Sequence, residues 1–160
     1  MNYGIQLLSP GQLPSVAELA RQIWPISYAG ILTSGQIENL LMRIYSEENL
    51  QKEMRAGHVF WGAYDKNDLV GYASVYKEEE TIWLKKLYVL PQLQGKGIGT
   101  LLMKTAVTAL SPAKKLNLFV NCNNLPAQHF YERSGFACIE EVPVKMGDFD
   151  FIDRVYSKSF

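Results

Sequence analysis

The sequence is poor in the features that mark several special classes of protein. It contains 2 cysteines and 2 histidines in 160 residues, and none of them has the spacing of a zinc site. The 16 basic and 16 acidic residues balance to a formal net charge of zero without a long basic run, which disfavours nucleic-acid binding. No stretch is apolar over the length that a bilayer requires, and the N-terminus does not resemble a secretion signal. We therefore expect a cytoplasmic protein that binds no metal, no nucleic acid and no membrane.

The composition itself is that of an ordinary globular protein. Hydrophobic residues make up 48% of the chain and charged residues 20%, which predicts one domain over residues 1–160 with one core. Cys122 and Cys138 lie in two predicted neighbouring strands, so a disulfide is geometrically conceivable. Two free, buried thiols are favoured instead, because the cytoplasm is reducing.

Hydrophobic periodicity predicts three helices in the first third of the chain. After a short strand near residues 3–8, apolar residues recur at helical spacing over 14–24, and Pro25 is expected to end or kink that helix. A capping box at residues 33–36 predicts the start of a second helix, and Ser46 is a suitable N-cap for a third.

The pattern then changes to the period of two that is typical of strands. Strands are predicted at 58–64, 69–77, 81–90, 116–121, 136–142 and 151–157. Helices are predicted at 97–110 and 125–133. The first three of these strands are joined by short polar segments that suit antiparallel turns. This order of elements predicts an α/β fold of the mixed α+β kind, with a mixed sheet and helices on both faces.

A glycine-rich segment joins the strand at 81–90 to the next helix. Pro91 stops strand pairing, and the segment then reads Gln94, Gly95, Lys96, Gly97, Ile98, Gly99, Thr100. Glycine lets the backbone approach a ligand, and the free amides at a helix start attract a pyrophosphate. Thr100 and the following leucine rule out a P-loop, and three alternating glycines do not match the Rossmann fingerprint. A purely structural turn is the alternative interpretation.

Two motifs resemble one enzyme family. Gln94-x-x-Gly97-x-Gly99 resembles the acetyl-CoA pyrophosphate loop of the GCN5-related N-acetyltransferase (GNAT) family, and Leu87-Tyr88-Val89-Leu90-Pro91 is similar to that family's fourth strand. Downstream, Phe119-Val120-Asn121 and Asn124-x-x-Ala127-x-x-Phe130-Tyr131-x-x-x-Gly135-Phe136 resemble its fifth strand and the helix after it. The resemblance implies a GNAT-like acyl-CoA N-acyltransferase fold with a largely antiparallel central sheet.

The resemblance also implies roles for individual residues. The fourth and fifth strands would splay apart, and the pantetheine arm of acetyl-CoA would pair with the backbone of Leu87 and Val89. A backbone amide near Tyr88 or Val89 would stabilise the oxyanion, and Tyr131 would be the general acid. The implied cofactor-binding residues are Leu87, Tyr88, Val89, Gln94, Gly95, Lys96, Gly97, Ile98, Gly99, Thr100, Asn124 and Tyr131. No metal ligand is implied.

Some of these residues have structural alternatives, and one role has no candidate. Tyr131 could be a packing residue between helix and sheet, Asn124 is an equally good helix N-cap, and Lys96 could be an ordinary solvated lysine. The general base is not identified, because Lys85 and Lys86 stand in the fourth strand where some relatives carry an acid. This departure favours deprotonation through water or a base from elsewhere in the chain.

The expected activity is that of an acetyl-CoA-dependent N-acetyltransferase, in which a primary amine of a small molecule attacks the thioester directly. Trp24 and Tyr28 are expected to wall the acceptor cleft, and Asp148, Asp150 and Asp153 to attract a cationic amine.

Residues 24–45 are similar to bacterial polyamine-acetylating members of the family. The alternatives are an enzyme that acetylates a protein N-terminus or lysine, and a CoA-binding module without turnover; the presence of Tyr131 favours catalysis. A homodimer through exposed strand edges is also expected.

Overall fold

Within residues 3–160, which the computed structural model describes, seven strands form one sheet and five α-helices lie against it. The strands are β1 (Gly4–Leu7), β2 (Val59–Asp65), β3 (Asp68–Glu78), β4 (Thr81–Val89), β5 (Lys115–Asn121), β6 (Ala137–Met146) and β7 (Phe149–Ser159). The helices are α1 (Leu13–Ser27), α2 (Ser34–Ile44), α3 (Glu47–Arg55), α4 (Ile98–Leu110) and α5 (Leu125–Arg133). None of the helices in this part of the chain is long and apolar enough to cross a membrane.

The sheet is mixed, with the strand order β1-β2-β3-β4-β5-β7-β6. Every neighbouring pair is antiparallel except β4 and β5, which run parallel. One hydrophobic cluster joins the sheet to α4 and α5, and a second joins it to α1, α2 and α3. The predicted mixed, largely antiparallel sheet with helices on both faces is therefore confirmed.

The predicted caps of the early helices are present, and the first helix does not end at Pro25, where it was expected to end or kink. Thr33 Oγ1 accepts from the Gln36 amide at 3.1 Å, and the Thr33 amide donates to Gln36 Oε1 at 2.9 Å. The Ser46 hydroxyl accepts from an amide in the first turn of α3. Helix α1 continues through Pro25 to Ser27. Pro25 lies on the exposed side of α1, where water can satisfy the carbonyl that loses its intrahelical bond.

The last two strands form a longer hairpin than the hydrophobic pattern predicted. Strand β6 extends to Met146, β7 begins at Phe149, and the hairpin turns at Gly147 and Asp148. Pro143 lies within β6, which is tolerated because β6 is an edge strand and a proline there need not donate to a second neighbour. The hairpin carries its inward residues, including Phe151, against the cluster formed by α1, α2 and α3.

Candidate active site

Strands β4 and β5 separate halfway along their length. They pair in parallel from Thr81 opposite Lys115 to Leu84 opposite Leu118. Beyond these residues β4 continues along β3 to Val89, while β5 continues along β7. The second half of β4 therefore faces a gap in the middle of the sheet, as the family resemblance implied.

The backbone of β4 presents hydrogen-bonding groups to this gap. The Leu90 amide donates to the Val70 carbonyl at 2.9 Å, so the backbone at Leu90 points toward β3. Backbone groups alternate in direction along a strand, so Tyr88 also points toward β3 while Leu87 and Val89 point toward the gap. An extended ligand lying in the gap can therefore pair with Leu87 and Val89 as an additional strand would.

The start of α4, at the end of this gap, has free backbone amides. Gly97 is the N-cap with φ of 83° and no side-chain cap, and Gly95 has φ of 82°. The first intrahelical bond runs from the Leu101 amide to the Gly97 carbonyl, so the amides of residues 98–100 have no helical acceptor. Within residues 3–160, α2, α3 and α5 all have a side-chain N-cap instead. The start of α4 is therefore suited to bind an anion.

Helix α5 contributes Asn124 and Tyr131 to the same region. The Ala127 amide donates to Asn124 Oδ1 at 3.3 Å, so Asn124 is the N-cap of α5. Tyr131 is buried and packs edge-to-face against Phe130 and Phe136, with ring centroids 5.1 and 5.5 Å away. Burial raises the pKa of Tyr131 far above the ordinary value for tyrosine. The structural alternatives for both residues are thus correct, while both side chains also line the cavity described next.

A cavity of about 350 Å³ passes through the gap and joins the two faces of the sheet. From the α4 and α5 side it is lined by Leu84, Leu87, Leu118, Val120, Asn124, Ala127 and Tyr131. From the α1, α2 and α3 side it is lined by residues that include Trp24, Tyr28, Leu40, Tyr45, Tyr88 and Met146. The structure therefore brings the predicted acceptor residues Trp24 and Tyr28 into one space with Tyr131, whereas the glycine-rich loop lies outside the lining of this cavity.

Two hydrogen-bonded pairs of tyrosines lie beside Trp24, and all of them except Tyr72 line the cavity. Trp24 packs against Tyr28 with ring centroids 4.6 Å apart, and the Tyr28 and Tyr88 hydroxyls lie 2.8 Å apart. The Tyr45 and Tyr72 hydroxyls form a second pair at 2.6 Å. Burial raises the pKa of each of these tyrosines, so their hydroxyls stay neutral at physiological pH. Sequence reasoning named Tyr28 for the acceptor and Tyr88 for the cofactor but missed Tyr45 and Tyr72, although Tyr72 and Tyr88 are directly opposed on neighbouring strands.

A buried ion pair explains Lys86, one of the two lysines in β4. Lys86 is only 3% exposed, and its Nζ lies 2.5 Å from Glu53 Oε1 of α3. The ammonium also lies over the rings of Phe60 and Tyr45, at 5.6 and 5.7 Å from their centroids. Burial lowers the pKa of Lys86, and Glu53 opposes that shift. The acidic partner was not recognised in the sequence because it belongs to a distant helix.

The predicted cluster of three aspartates does not form. Asp153 lines the cavity and is half-buried, whereas Asp148 lies exposed in the turn of the β6–β7 hairpin and Asp150 is exposed on β7. Side chains alternate between the two faces of a strand, so Phe151 and Asp153 share the inward face while Asp150 points outward. Only one of the three carboxylates can therefore attract an amine into this cavity.

Comparison with known proteins agrees with this geometry. The family description "Acetyltransferase (GNAT) domain" matches residues 27–153, which is most of the chain. The chain belongs to the GNAT family. The fold class and the expected N-acetyltransferase activity, with acetyl-CoA as the acyl donor, are thereby confirmed.

Several proteins similar to this chain are named as N-acetyltransferases. The spermidine N(1)-acetyltransferase of Thermoplasma acidophilum is 28% identical over 100% of this chain and 99% of its own length. The spermine/spermidine N(1)-acetyltransferase of Bacillus subtilis is 29% identical over 68% of this chain and 80% of its own length. The solved PaiA N-acetyltransferase of Thermoplasma acidophilum, in complex with coenzyme A, superimposes with a TM-score of 0.84 over 100% of both chains at 28% identity.

Proposed function

We propose that this GNAT protein transfers an acetyl group from acetyl-CoA to a primary amine of a small, polyamine-like molecule. The observation that carries the proposal is the single cavity that connects the open edge of β4 to an aromatic cleft containing Asp153. Both reactants of a direct transfer must meet in one protected space. The names of two relatives, one of them matched over its full length, support a polyamine as the acceptor.

Acetyl-CoA is consumed as a co-substrate, and the described residues fit its chemical groups. We propose that the free amides of Ile98, Gly99 and Thr100, with the loop Gln94–Gly97, bind the pyrophosphate. Lys96 is suited to meet a phosphate oxygen. The pantetheine arm would pair with Leu87 and Val89, whose backbone groups face the gap.

The catalytic assignments follow from the same geometry. The Val89 amide is the better oxyanion donor, because the Tyr88 amide points toward β3. Tyr131 is proposed to protonate the departing thiolate. Its raised pKa keeps the hydroxyl protonated at physiological pH, so a proton is present beside the thiolate as it departs.

The residues around the acceptor side favour a small molecule over a protein substrate. The β6–β7 hairpin packs Met146 and Phe151 against the cluster of α1, α2 and α3, which narrows the space next to Tyr28. A polypeptide acceptor requires a groove that is open at both ends. Small amines are therefore the proposed acceptors, and acetylation of a protein N-terminus or lysine is the alternative to be tested beside them.

Three broader expectations remain proposals of the same kind. We propose one acetyltransferase domain over residues 1–160 and a cytoplasmic location, which is supported by the free thiols of Cys122 and Cys138. The prediction that both thiols are buried was wrong, because Cys122 is half-buried and Cys138 is exposed. The homodimer through strand edges stays a prediction.

The deciding experiment measures thiol release from acetyl-CoA with a panel of acceptors. We expect turnover with spermidine and related polyamines, and little with peptides that offer a free N-terminus or a lysine. Calorimetry should detect binding of coenzyme A. Turnover confined to peptides would favour the alternative acceptor class, and failure to bind coenzyme A would contradict the proposed site.

The Tyr131→Phe variant tests the general acid separately. It should lower kcat by about 10²- to 10⁴-fold, the usual contribution of a positioned proton donor, while coenzyme A affinity is preserved because ring packing remains. Full turnover by Tyr131→Phe would remove the assignment.

A further inference from the structure

Asp153 is the sole carboxylate among the described residues that line the cavity. It lies on β7 directly opposite Asn121, the last residue of β5. This register puts Asp153 beside the gap where β5 has already separated from β4. The carboxylate therefore stands where an acceptor amine must pass to reach a thioester held along β4.

No cation of the described residues forms an ion pair with Asp153. Lys86, which also lines the cavity, is already paired with Glu53. Arg154 follows Asp153 on β7 but turns to the other face, where its Nε donates to Glu141 and its Nη1 to Gln128. A half-buried carboxylate is costly without a cation, so the site favours a positively charged ligand.

The ionisable groups around Asp153 come from several elements. The groups that line the same cavity are Tyr28 after α1, Tyr45 after α2, Tyr76, Lys85, Lys86 and Tyr88 of β3 and β4, and Tyr131 of α5. Tyr28 is close enough for the carboxylate to contribute to the raised pKa of its phenol. Burial raises the pKa of Asp153 above that of an ordinary aspartate, which makes it a stronger proton acceptor.

We propose that Asp153 is the general base that binds the acceptor ammonium and removes one of its protons before attack. The inference rests on the proposed function and supplies the base that β4, with Lys85 and Lys86, does not carry. An aspartate in contact with the amine performs both tasks, because the ion pair that recruits the ammonium is also the path of the proton.

The proton balance of the reaction is then complete. One ammonium proton moves to the Asp153 carboxylate, and the freed nitrogen lone pair forms the bond to the thioester carbonyl carbon. As the carbon–sulfur bond breaks, the thiolate takes the Tyr131 hydroxyl proton, and a second proton leaving the nitrogen restores Tyr131. The third proton remains on the amide product, and Asp153 releases its proton to solvent.

The test compares Asp153→Asn with Asp150→Asn by measuring kcat/KM for spermidine as a function of pH. Asp150 is a matched control, because it lies on the same strand but is exposed on the opposite face. Wild type and Asp150→Asn should show a plateau near neutral pH and lose activity as Asp153 becomes protonated at lower pH. Asp153→Asn should lose about 10²- to 10⁴-fold at neutral pH.

The shape of the pH profile of Asp153→Asn separates two roles of Asp153, acceptance of a proton and attraction of the amine. Without the base, only the free amine reacts, so log kcat/KM should rise with pH with a slope of about one until the amine itself is deprotonated. An equal loss at every pH would mean that Asp153 attracts the amine without accepting its proton, and unchanged kinetics would mean that it does neither. Either result overturns the proposal.

Binding of coenzyme A to Asp153→Asn, measured by calorimetry, should equal that of wild type and shows that the fold is intact. A wild-type protein that is inert toward every amine would instead remove the proposed function, and this step with it. The two failures are therefore distinguishable.

Discussion

The ion pair between Lys86 and Glu53 permits a direct measurement of how much one negative charge contributes to the free energy of unfolding. Lys86 is 3% exposed and Glu53 is 13% exposed, with 2.5 Å between Nζ and Oε1. In Glu53→Gln the side chain keeps its size and an oxygen that can accept from Asn49, which now donates to Glu53 Oε2 at 3.3 Å. The substitution therefore removes the negative charge and little else, and leaves the ammonium of Lys86 buried.

The expected cost follows from that uncompensated charge. Breaking a buried ion pair by removing one partner costs about 3–5 kcal/mol, because the remaining charge has lost both water and its counterion. In a chain of this size about 1 kcal/mol moves the melting temperature by roughly 2–4 °C, so a fall of about 6–20 °C is expected. The double variant Glu53→Gln with Lys86→Met should lose less than the sum of the single variants, because no charge is then buried.

The assays are thermal unfolding and urea unfolding, both followed by circular dichroism. The exposed ion pair of Lys114 and Glu80 supplies the control. Its Nζ and Oε2 atoms lie 2.9 Å apart, a distance comparable to that in the buried pair, but the two side chains are 76% and 65% exposed. Glu80→Gln should leave the midpoint unchanged within error, because water already solvates both groups.

The pH dependence provides a second measurement with a defined sign. Burial lowers the pKa of Lys86 in the folded protein, so the unfolded chain binds the proton more tightly. The stability of Glu53→Gln should therefore increase as the pH rises from the folded pKa of Lys86 toward the unfolded one. If Glu53→Gln lost less than about 1 kcal/mol of unfolding free energy and its stability did not increase with pH, the inference that the Lys86 ammonium is desolvated would be refuted.

Two further predictions concern the loop and the acceptor cleft. Gly97→Ala should lose about 1–2 kcal/mol of unfolding free energy in denaturant titration, because Gly97 has φ of 83°, which strains a residue with a Cβ atom. Gly99→Ala is the control and should lose much less, because its added methyl would meet Phe130 at an ordinary contact distance of 3.7 Å. Equal losses in the two variants would contradict the inference that the left-handed backbone at Gly97 requires glycine. Tyr28→Phe removes the partner of the Tyr88 hydroxyl and should raise KM for the amine without changing coenzyme A affinity in calorimetry, whereas a loss of coenzyme A binding alone would place Tyr28 on the wrong side of the cavity.

The parts of the fold that were predictable depend on residues close together in sequence. The capping box of Thr33 and Gln36 and the cap at Ser46 each act over three residues, so their signals survive in the sequence. The alternation of apolar and polar residues that predicted β2, β3 and β4 also depends only on residues two positions apart. By contrast, the pairing of Glu53 with Lys86 spans 33 positions, and only the folded chain brings the two together.

The errors have physical causes of the same kind. Pro25 was predicted to end or kink α1, and the helix does not end there, since whether a proline ends a helix depends on whether water can reach the carbonyl that it leaves unpaired. Asp148, Asp150 and Asp153 were predicted to act together, because a cluster in sequence was taken for a cluster in space. Residues 148 and 150 lie in a turn and on an outward-facing position, so the alternation of β7 separates them from Asp153.

One irregularity in β4 shows why the gap forms where it does. Lys86 pairs with Ser74 and Leu84 pairs with Val75, so Lys85 is an extra residue that forms a β-bulge. Leu84 is also the last residue of β4 that pairs with β5, and a bulge bends and twists its strand away from the regular ladder. The point of bending therefore coincides with the point of separation.

The same bulge assigns the side chains of β4 to the two halves of the active site. In a regular strand Leu84 and Lys86 would share a face, yet Leu84 and Leu87 both pack with the α4 and α5 cluster while Tyr88 packs with the cluster of α1, α2 and α3. The bulge thus reverses the alternation of side chains between the two faces of β4. Leu84 before the bulge and Leu87 after it both face the α4 and α5 side, where acetyl-CoA is proposed to bind, while Lys86 and Tyr88 face the acceptor side. The consecutive polar residues Lys85 and Lys86 are the sequence signal of this reversal, because a half-buried strand seldom carries two polar residues in succession without a change of register.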